Sequence, residues 1–169
     1  MKYTSAEAAK LLRRLNDEIA AEQQLEAQSR EFVVAVTEVP DDVRPEYDYA
    51  AVNARIDALQ ASVRRLKHAI NVFNATHTVP GFEMTIDEML VYLPQLKAKK
   101  EKLAAMKVKL PRAREQSYGR SNSGVIEYRY VNYSIKDVAA DFDAVSEELS
   151  RAQNALDLVN STETLEFDQ

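Results

Sequence analysis

Apolar positions recur with a helical period over most of the chain. The most regular run is Tyr49, Val52, Ile56, Leu59, Val63, Leu66, Ile70 and Phe73, spaced alternately three and four residues apart. This is a heptad seam with Ile56, Val63 and Ile70 at a and Val52, Leu59 and Leu66 at d. A helix of this length extends about 37 Å and cannot bury its seam alone, so it requires a partner helix. An equally regular seam runs through Ile135, Val138, Phe142, Val145, Leu149, Ala152, Leu156 and Val159. Ser134 followed by Asp137 forms a variant capping box at its start, and Asn160 marks its end.

The two seams match at an offset of 86 residues. Identities include Val52/Val138, Asp57/Asp143, Arg65/Arg151 and Asn74/Asn160. Each half of the chain reads as helix, irregular connector, helix. The remaining helices follow from weaker stripes. One spans about Ser5 to Arg30, with Ser5 as N-cap and Ala8, Leu12, Leu15 and Ile19 as its apolar face. Another begins at Thr85, whose capping box is completed by Glu88, and ends before Pro111. Its stripe is Ile86, Met89, Leu93, Leu96, Leu103 and Met106. Pro94 lies inside it and predicts a kink or a split, because proline removes a donor and crowds the preceding turn.

The connectors predict short strands. Residues 32–39 (FVVAVTEV) are rich in β-branched residues, and 125–133 (VIEYRYVNY) alternate Ile126, Tyr128 and Tyr130 with Glu127 and Arg129. Antiparallel pairing of these two would make a small ribbon, and Thr164–Phe167 would add at an edge. The expected fold is therefore mainly α, a single domain over 1–169 with pseudo-repeat halves 1–78 and 79–169. Two long antiparallel helical hairpins form a four-helix, coiled-coil-like assembly with a small β-ribbon from the connectors. The seam residues Val52, Ile56, Leu59, Val63, Leu66, Ile70, Val138, Phe142, Val145, Leu149 and Leu156 are the expected helix interface.

Composition narrows the chemistry. The chain has 169 residues, no Cys, two His and three Gly. Without cysteine there are no disulfides, thiolate metal sites, iron–sulfur clusters or cysteine nucleophiles. There is no GxGxxG and no GxxxxGK[ST], and such loops need more glycine than this chain contains. No apolar run approaches the roughly 18 residues that span a bilayer, and the N-terminus lacks an uninterrupted apolar segment. The expected compartment is the cytoplasm, with no membrane partner.

The net charge of −5 is unevenly placed. Residues 96–120 hold nine bases, Lys97, Lys99, Lys100, Lys102, Lys107, Lys109, Arg112, Arg114 and Arg120, against Glu101 and Glu115. That segment is +7, which leaves −12 on the rest. With Tyr118, Tyr128 and Tyr130 nearby, it is a candidate anion or nucleic-acid contact. The favoured expectation is instead pairing of this basic helix with the acidic helix after Ser134, within one bundle or between subunits. Lys100 falls on a seam position, where a polar residue sets register.

No catalytic set, cofactor site or metal site is expected. Asp41, Asp42 and Glu46, with Tyr47 and Tyr49, form an acidic loop between prolines that reads as solvated. Ser117, Ser121 and Ser123 lie near no base and read as loop residues. His68 lies off the seam, and His77 lies in the NATHT connector, where Asn71 and Asn74 are expected to shape the helix end.

Taken in order, a helix ending Ile70-Asn71-x-x-Asn74-Ala75-Thr76, the Thr85–Glu88 box, a basic helix, the strand Glu127-x-Arg129-Tyr130-Val131 and the opening Asp137-Val138-Ala139 resemble the septicolysin-like family of small bacterial proteins. The chain departs from that pattern at Pro94 and in its longer connector over 41–49. The resemblance implies a helical, coiled-coil-rich bacterial protein of unknown function and supplies no catalytic residues. The family name points to a pore-forming toxin, although the chain has neither a Trp-rich membrane loop nor a long amphipathic strand pair. The leading expectation is a non-enzymatic structural or interaction protein acting as a homo-oligomer. A nucleic-acid or phosphate binder is the alternative.

Overall fold

The computed structural model describes residues 1–115 and 126–168. These contain, in order, β1 (Lys2–Thr4), α1 (Ser5–Ser29), α2 (Pro40–Val43), α3 (Tyr49–Thr76), α4 (Ile86–Lys107), β2 (Arg112–Arg114), β3 (Tyr128–Tyr130), α5 (Ile135–Thr162) and β4 (Thr164–Glu166). The protein is mainly helical, with two small antiparallel strand pairs. It divides into two compact units, one of residues 1–77 and 158–169, the other of residues 78–157.

In the first unit, α1 and α3 pack along each other in opposite directions. Arg55 pairs with Glu22 at 3.4 Å, and the Tyr47 hydroxyl donates to Glu26 at 2.9 Å. As the chain advances along α3, its partners therefore step backwards along α1. The buried stripe of α1 is Ala8, Leu11 and Leu15; Leu12 lies beside it and is half-buried. The N-cap is Thr4, one residue before the expected Ser5. Thr4 Oγ1 accepts from the Glu7 amide, and the Glu7 carboxylate accepts from the Thr4 amide, a reciprocal capping box. From α3 the unit buries Val52, Ile56, Leu66 and Phe73. β4 closes it by pairing antiparallel with β1, Thr4 opposite Thr164 and Lys2 opposite Glu166.

Residues 32–39 do not form the expected strand. The Ala35 amide donates to the Glu38 carboxylate at 3.0 Å, and the Glu38 amide donates back to the Ala35 carbonyl at 2.9 Å. This local turn takes the groups a ladder would use, and Pro40 then opens α2. Val33 is 97% exposed, so the β-branched run has no pleated surface to pack on, and that packing is what β-propensity mostly measures. The expected ribbon between 32–39 and 125–133 is accordingly absent. β3 covers only three residues of the latter segment, and its partner is β2.

In the second unit, an isolated bridge joins Thr78 to Thr85. Between them lies a turn in which the Phe82 amide donates to the Val79 carbonyl at 3.1 Å. Gly81 takes φ +77, as the third position of a type II turn after Pro80 requires. Thr85 caps α4 with the expected Glu88 box. The helix runs unbroken through Pro94, so the proline does not split it. α4 and the first part of α5 run antiparallel. Tyr92 donates to Glu148 at 3.4 Å near one end, and Tyr133 donates to the Met106 carbonyl at 2.9 Å near the other. The core of this unit includes Ile86, Met89, Leu96 and Leu103 of α4, with Val138, Val145, Leu149 and Leu156 of α5.

The long helices α3 and α5 each have 28 residues, and both their bounds are offset by 86. α5 thus ends two residues beyond the expected Asn160. Two residues past each helix stands a threonine, Thr78 or Thr164, paired with the threonine that caps a following or preceding helix.

Candidate functional site

The basic segment begins on the second half of α4. Two of its lysines are committed to the fold. The Lys107 ammonium lies 3.5 Å from the centroid of the Phe142 ring, and that of Lys100 lies at 5.7 Å. A cation over an aromatic face is attracted to its quadrupole, and Phe142 is a half-buried seam residue. Lys100, at its seam position, is half-buried beside that ring.

The expected pairing of basic α4 with acidic α5 is not made inside the chain. Among the described residues no ion pair joins these helices. Glu148 instead takes Arg151 of its own helix at 2.6 Å and accepts from the Tyr92 hydroxyl. Burial of that hydroxyl, reinforced by the Glu148 charge, holds the Tyr92 pKa above its ordinary value. Arg151 also lies over the Phe82 ring at 4.7 Å. Lys97, Lys99, Lys102, Lys109 and Arg114 are exposed, and among the described residues none has a carboxylate within 4.0 Å. Arg120, Tyr118, Ser117, Ser121 and Ser123 lie outside the described residues.

Beyond α4 the charge continues onto the β2–β3 ribbon. Its base is fixed where Tyr133 donates to the Met106 carbonyl, which also accepts from the Lys109 amide at 3.2 Å. The register pairs Arg112 with Tyr130, Ala113 with Arg129 and Arg114 with Tyr128. Bonds from Val131 N–H to the Pro111 carbonyl and from Glu115 N–H to the Glu127 carbonyl extend the ladder at each end. Because side chains alternate across a strand, this register sorts the ribbon into two faces.

One face carries Arg112, Arg114, Tyr128 and Tyr130, all exposed. The Arg112 guanidinium lies 3.6 Å from the Tyr128 ring centroid and 5.7 Å from that of Tyr130. The other face carries Arg129, Glu115 and Glu127. Here Arg129 grips Glu115 through two hydrogen bonds of 2.7 Å. The Arg129 bonds hold the Glu115 carboxyl below its ordinary pKa. Both ribbon carboxylates are thus segregated from the Arg/Tyr face.

The other candidates are not assembled into sites. Asp41 pairs with Arg44 at 3.0 Å, and among the described residues no three His, Asp or Glu side chains could jointly hold a metal ion. His68 and His77 line one groove of about 350 Å³ with Phe73, Thr164, Leu165 and Glu166. The His77 ring stacks on Phe73 at 4.0 Å, with Nδ1 3.0 Å from the Phe73 carbonyl. His77 and Thr76, which donates to the Val72 carbonyl at 2.8 Å, shape the end of α3. The expected Asn74 does not contribute, since its Oδ1 is enclosed without a partner. Of the seam residues, Val52, Ile56, Leu66, Val138, Val145, Leu149 and Leu156 are buried, while Leu59, Val63, Ile70 and Phe142 are half-buried.

The sequence pattern does not announce β1, α2 or β2, and of these the one that belongs to the basic site is β2. Its signal is the alternation Arg112-x-Arg114, which matches Tyr128-x-Tyr130 in length and phase.

No protein-family model and no curated protein matches the chain, so the septicolysin-like resemblance rests on the sequence pattern alone. Among solved structures, the chain is similar to a functionally unknown conserved protein from Corynebacterium diphtheriae. The identity is 16%, over 98% of this chain and 100% of that one, with a TM-score of 0.60. A likeness at this identity shows a shared fold alone. Among the described residues no helix is long and apolar enough to cross a membrane.

Proposed function

We propose that the chain is a non-enzymatic interaction protein whose contact surface takes a polyanionic partner. The surface is the Arg/Tyr face of the ribbon, together with the exposed lysines Lys97, Lys99, Lys102 and Lys109. The observation carrying this reading is the absence, among the described residues, of any ion pair between basic α4 and acidic α5. These bases stand in water, where neutralising a phosphate chain releases counterions and yields salt-dependent affinity. An overall charge of −5 makes attraction local to this end of the second unit and leaves the remainder repulsive to the same partner.

The test is binding of inorganic polyphosphate and of a labelled oligonucleotide across a salt series. Replacing Lys99, Lys102, Lys109 and Arg114 with Gln should weaken both and flatten the salt dependence by roughly 0.7 of a slope unit per lost phosphate contact. Lys100 and Lys107 are left intact because they cover Phe142. No binding at low salt sinks the proposal.

Self-association is a second reading, favoured by one observation. Val33, Val36 and Val39 are exposed on a connector with strong strand propensity, and Val43 of α2, just after it, is exposed too. This connector, rather than the largely buried seams, would supply the contact in a homo-oligomer. Light scattering reads the result directly. A mass above 19.1 kDa that returns to the single-chain value in V33S/V36S supports it, and a monomer throughout removes it.

A further inference from the structure

The two faces of the β2–β3 ribbon differ in more than charge. One holds an ion pair that consumes its own arginine. The other holds two arginines and two tyrosines, with neither of the ribbon's carboxylates beside them. A surface built only to attract phosphate would need lysines or arginines and no rings. Here Tyr130 is 63% exposed and Tyr128 43%, and the Arg112 guanidinium lies over the Tyr128 ring, 3.6 Å from its centroid. A guanidinium resting on a ring presents its outer face as a further planar surface.

From this arrangement we infer that the Arg112–Tyr128–Tyr130 face is a stacking platform for the unpaired bases of a single-stranded nucleic acid, with Arg114 on the same face to meet the phosphates. The inference rests on the polyanion reading and names its partner. Rings and guanidinium planes recognise bases that are free to leave a stack; in a duplex those faces are already occupied by neighbouring bases. Every base has a π-face, so the platform is indifferent to sequence. Its strand geometry suits it to the task. Tyr128 and Tyr130 project to one side about 6.7 Å apart along β3, because alternate residues of a strand share a face. Arg112, Arg114, Tyr128 and Tyr130 are all exposed among the described residues. Arg129 contributes by binding Glu115 on the opposite side, which keeps a carboxylate from competing for Arg112 or Arg114.

The test uses the full chain and four probes of matched length at low salt: a thymidine oligonucleotide of about 12 nucleotides, an abasic strand with the same phosphodiester backbone, a duplex and inorganic polyphosphate. The oligonucleotide should bind at least roughly tenfold more tightly than the abasic strand and more tightly than the duplex. Y128L/Y130L should bring the oligonucleotide down to the abasic level while leaving polyphosphate unchanged, provided its thermal melt matches the parent protein. R112K, which keeps the charge but not the plane, should narrow the preference without abolishing it. Equal binding of oligonucleotide and abasic strand would overturn the stacking inference and leave the polyanion reading standing. A preference for duplex would overturn it as well. Failure of every probe to bind would remove both.

Discussion

Arg129 holds Glu115 through a two-pronged contact, Nε to Oε2 and Nη2 to Oε1, each 2.7 Å long. The two residues lie diagonally across the β2–β3 register, so the contact fastens the ribbon on the face away from its tyrosines. The Glu115 pKa is lowered in the folded protein, first by these hydrogen bonds. A depressed carboxyl pKa stabilises the folded form above its unfolded value, and that contribution disappears as pH falls through the folded one. The ribbon should therefore be intact at neutral pH and loosen only in acid below the ordinary glutamate range. R129K retains the charge without the planar fork, so the Glu115 titration should move back towards its usual value. Carbon-13 NMR of the Glu115 carboxyl reads both. An unperturbed titration in the parent protein contradicts the geometry.

Helix α4 depends on its cap. T85A removes the acceptor for the Glu88 amide and should cost about 1 kcal/mol in denaturant unfolding, while T85S should be close to neutral.

Pro94 opposes its own helix, since it withholds a donor from the Leu90 carbonyl in the middle of α4. P94A restores that bond and should raise stability by about 2 kcal/mol. The gain falls short of the full helix-propensity difference because alanine leaves the unfolded chain freer. A destabilised P94A would mean that the proline ring is packed to an advantage its exposure does not suggest.

Leu66 is 0% exposed, and L66A should cost about 2–5 kcal/mol through lost burial and the cavity left behind. Val33, of similar hydrophobicity but standing in solvent, should tolerate V33S within about 0.5 kcal/mol. Equal effects from the two substitutions would indicate that residues 32–39 are paired after all.

Y133F removes the bond to the Met106 carbonyl at the ribbon's base and should cost about 1 kcal/mol, with faster exchange of the Val131 amide, which donates to the Pro111 carbonyl there.

The helices were legible because their signals are local and redundant. A seam such as Val52–Phe73 repeats its message at every turn, and Thr85 with Glu88 declares an end within four residues. The strands were not, because a strand is defined by its partner. FVVAVTEV has the stronger propensity and remains unpaired. Arg112–Arg114, with little propensity, is a strand because Tyr128–Tyr130 lies opposite. The candidate site was half visible for the same reason. Its basic residues stood out in the charge count, but which of them fold onto Phe142 and which face water depends on packing across α4 and α5. That Arg112 meets two tyrosines depends on a register that composition does not specify.

The pairing of Thr4 with Thr164 also governs the order in which the protein can be made. The second unit is continuous, residues 78–157, and its contacts are all present once Asp157 has been synthesised. The first unit starts earlier on the ribosome but lacks its closing strand until β4 emerges. Its α1–α3 hairpin must wait with Phe73 and the β1 edge uncovered while the later unit completes. The part translated first is finished last, and a truncation that removes only β4 should be felt most at the opposite end of the sequence.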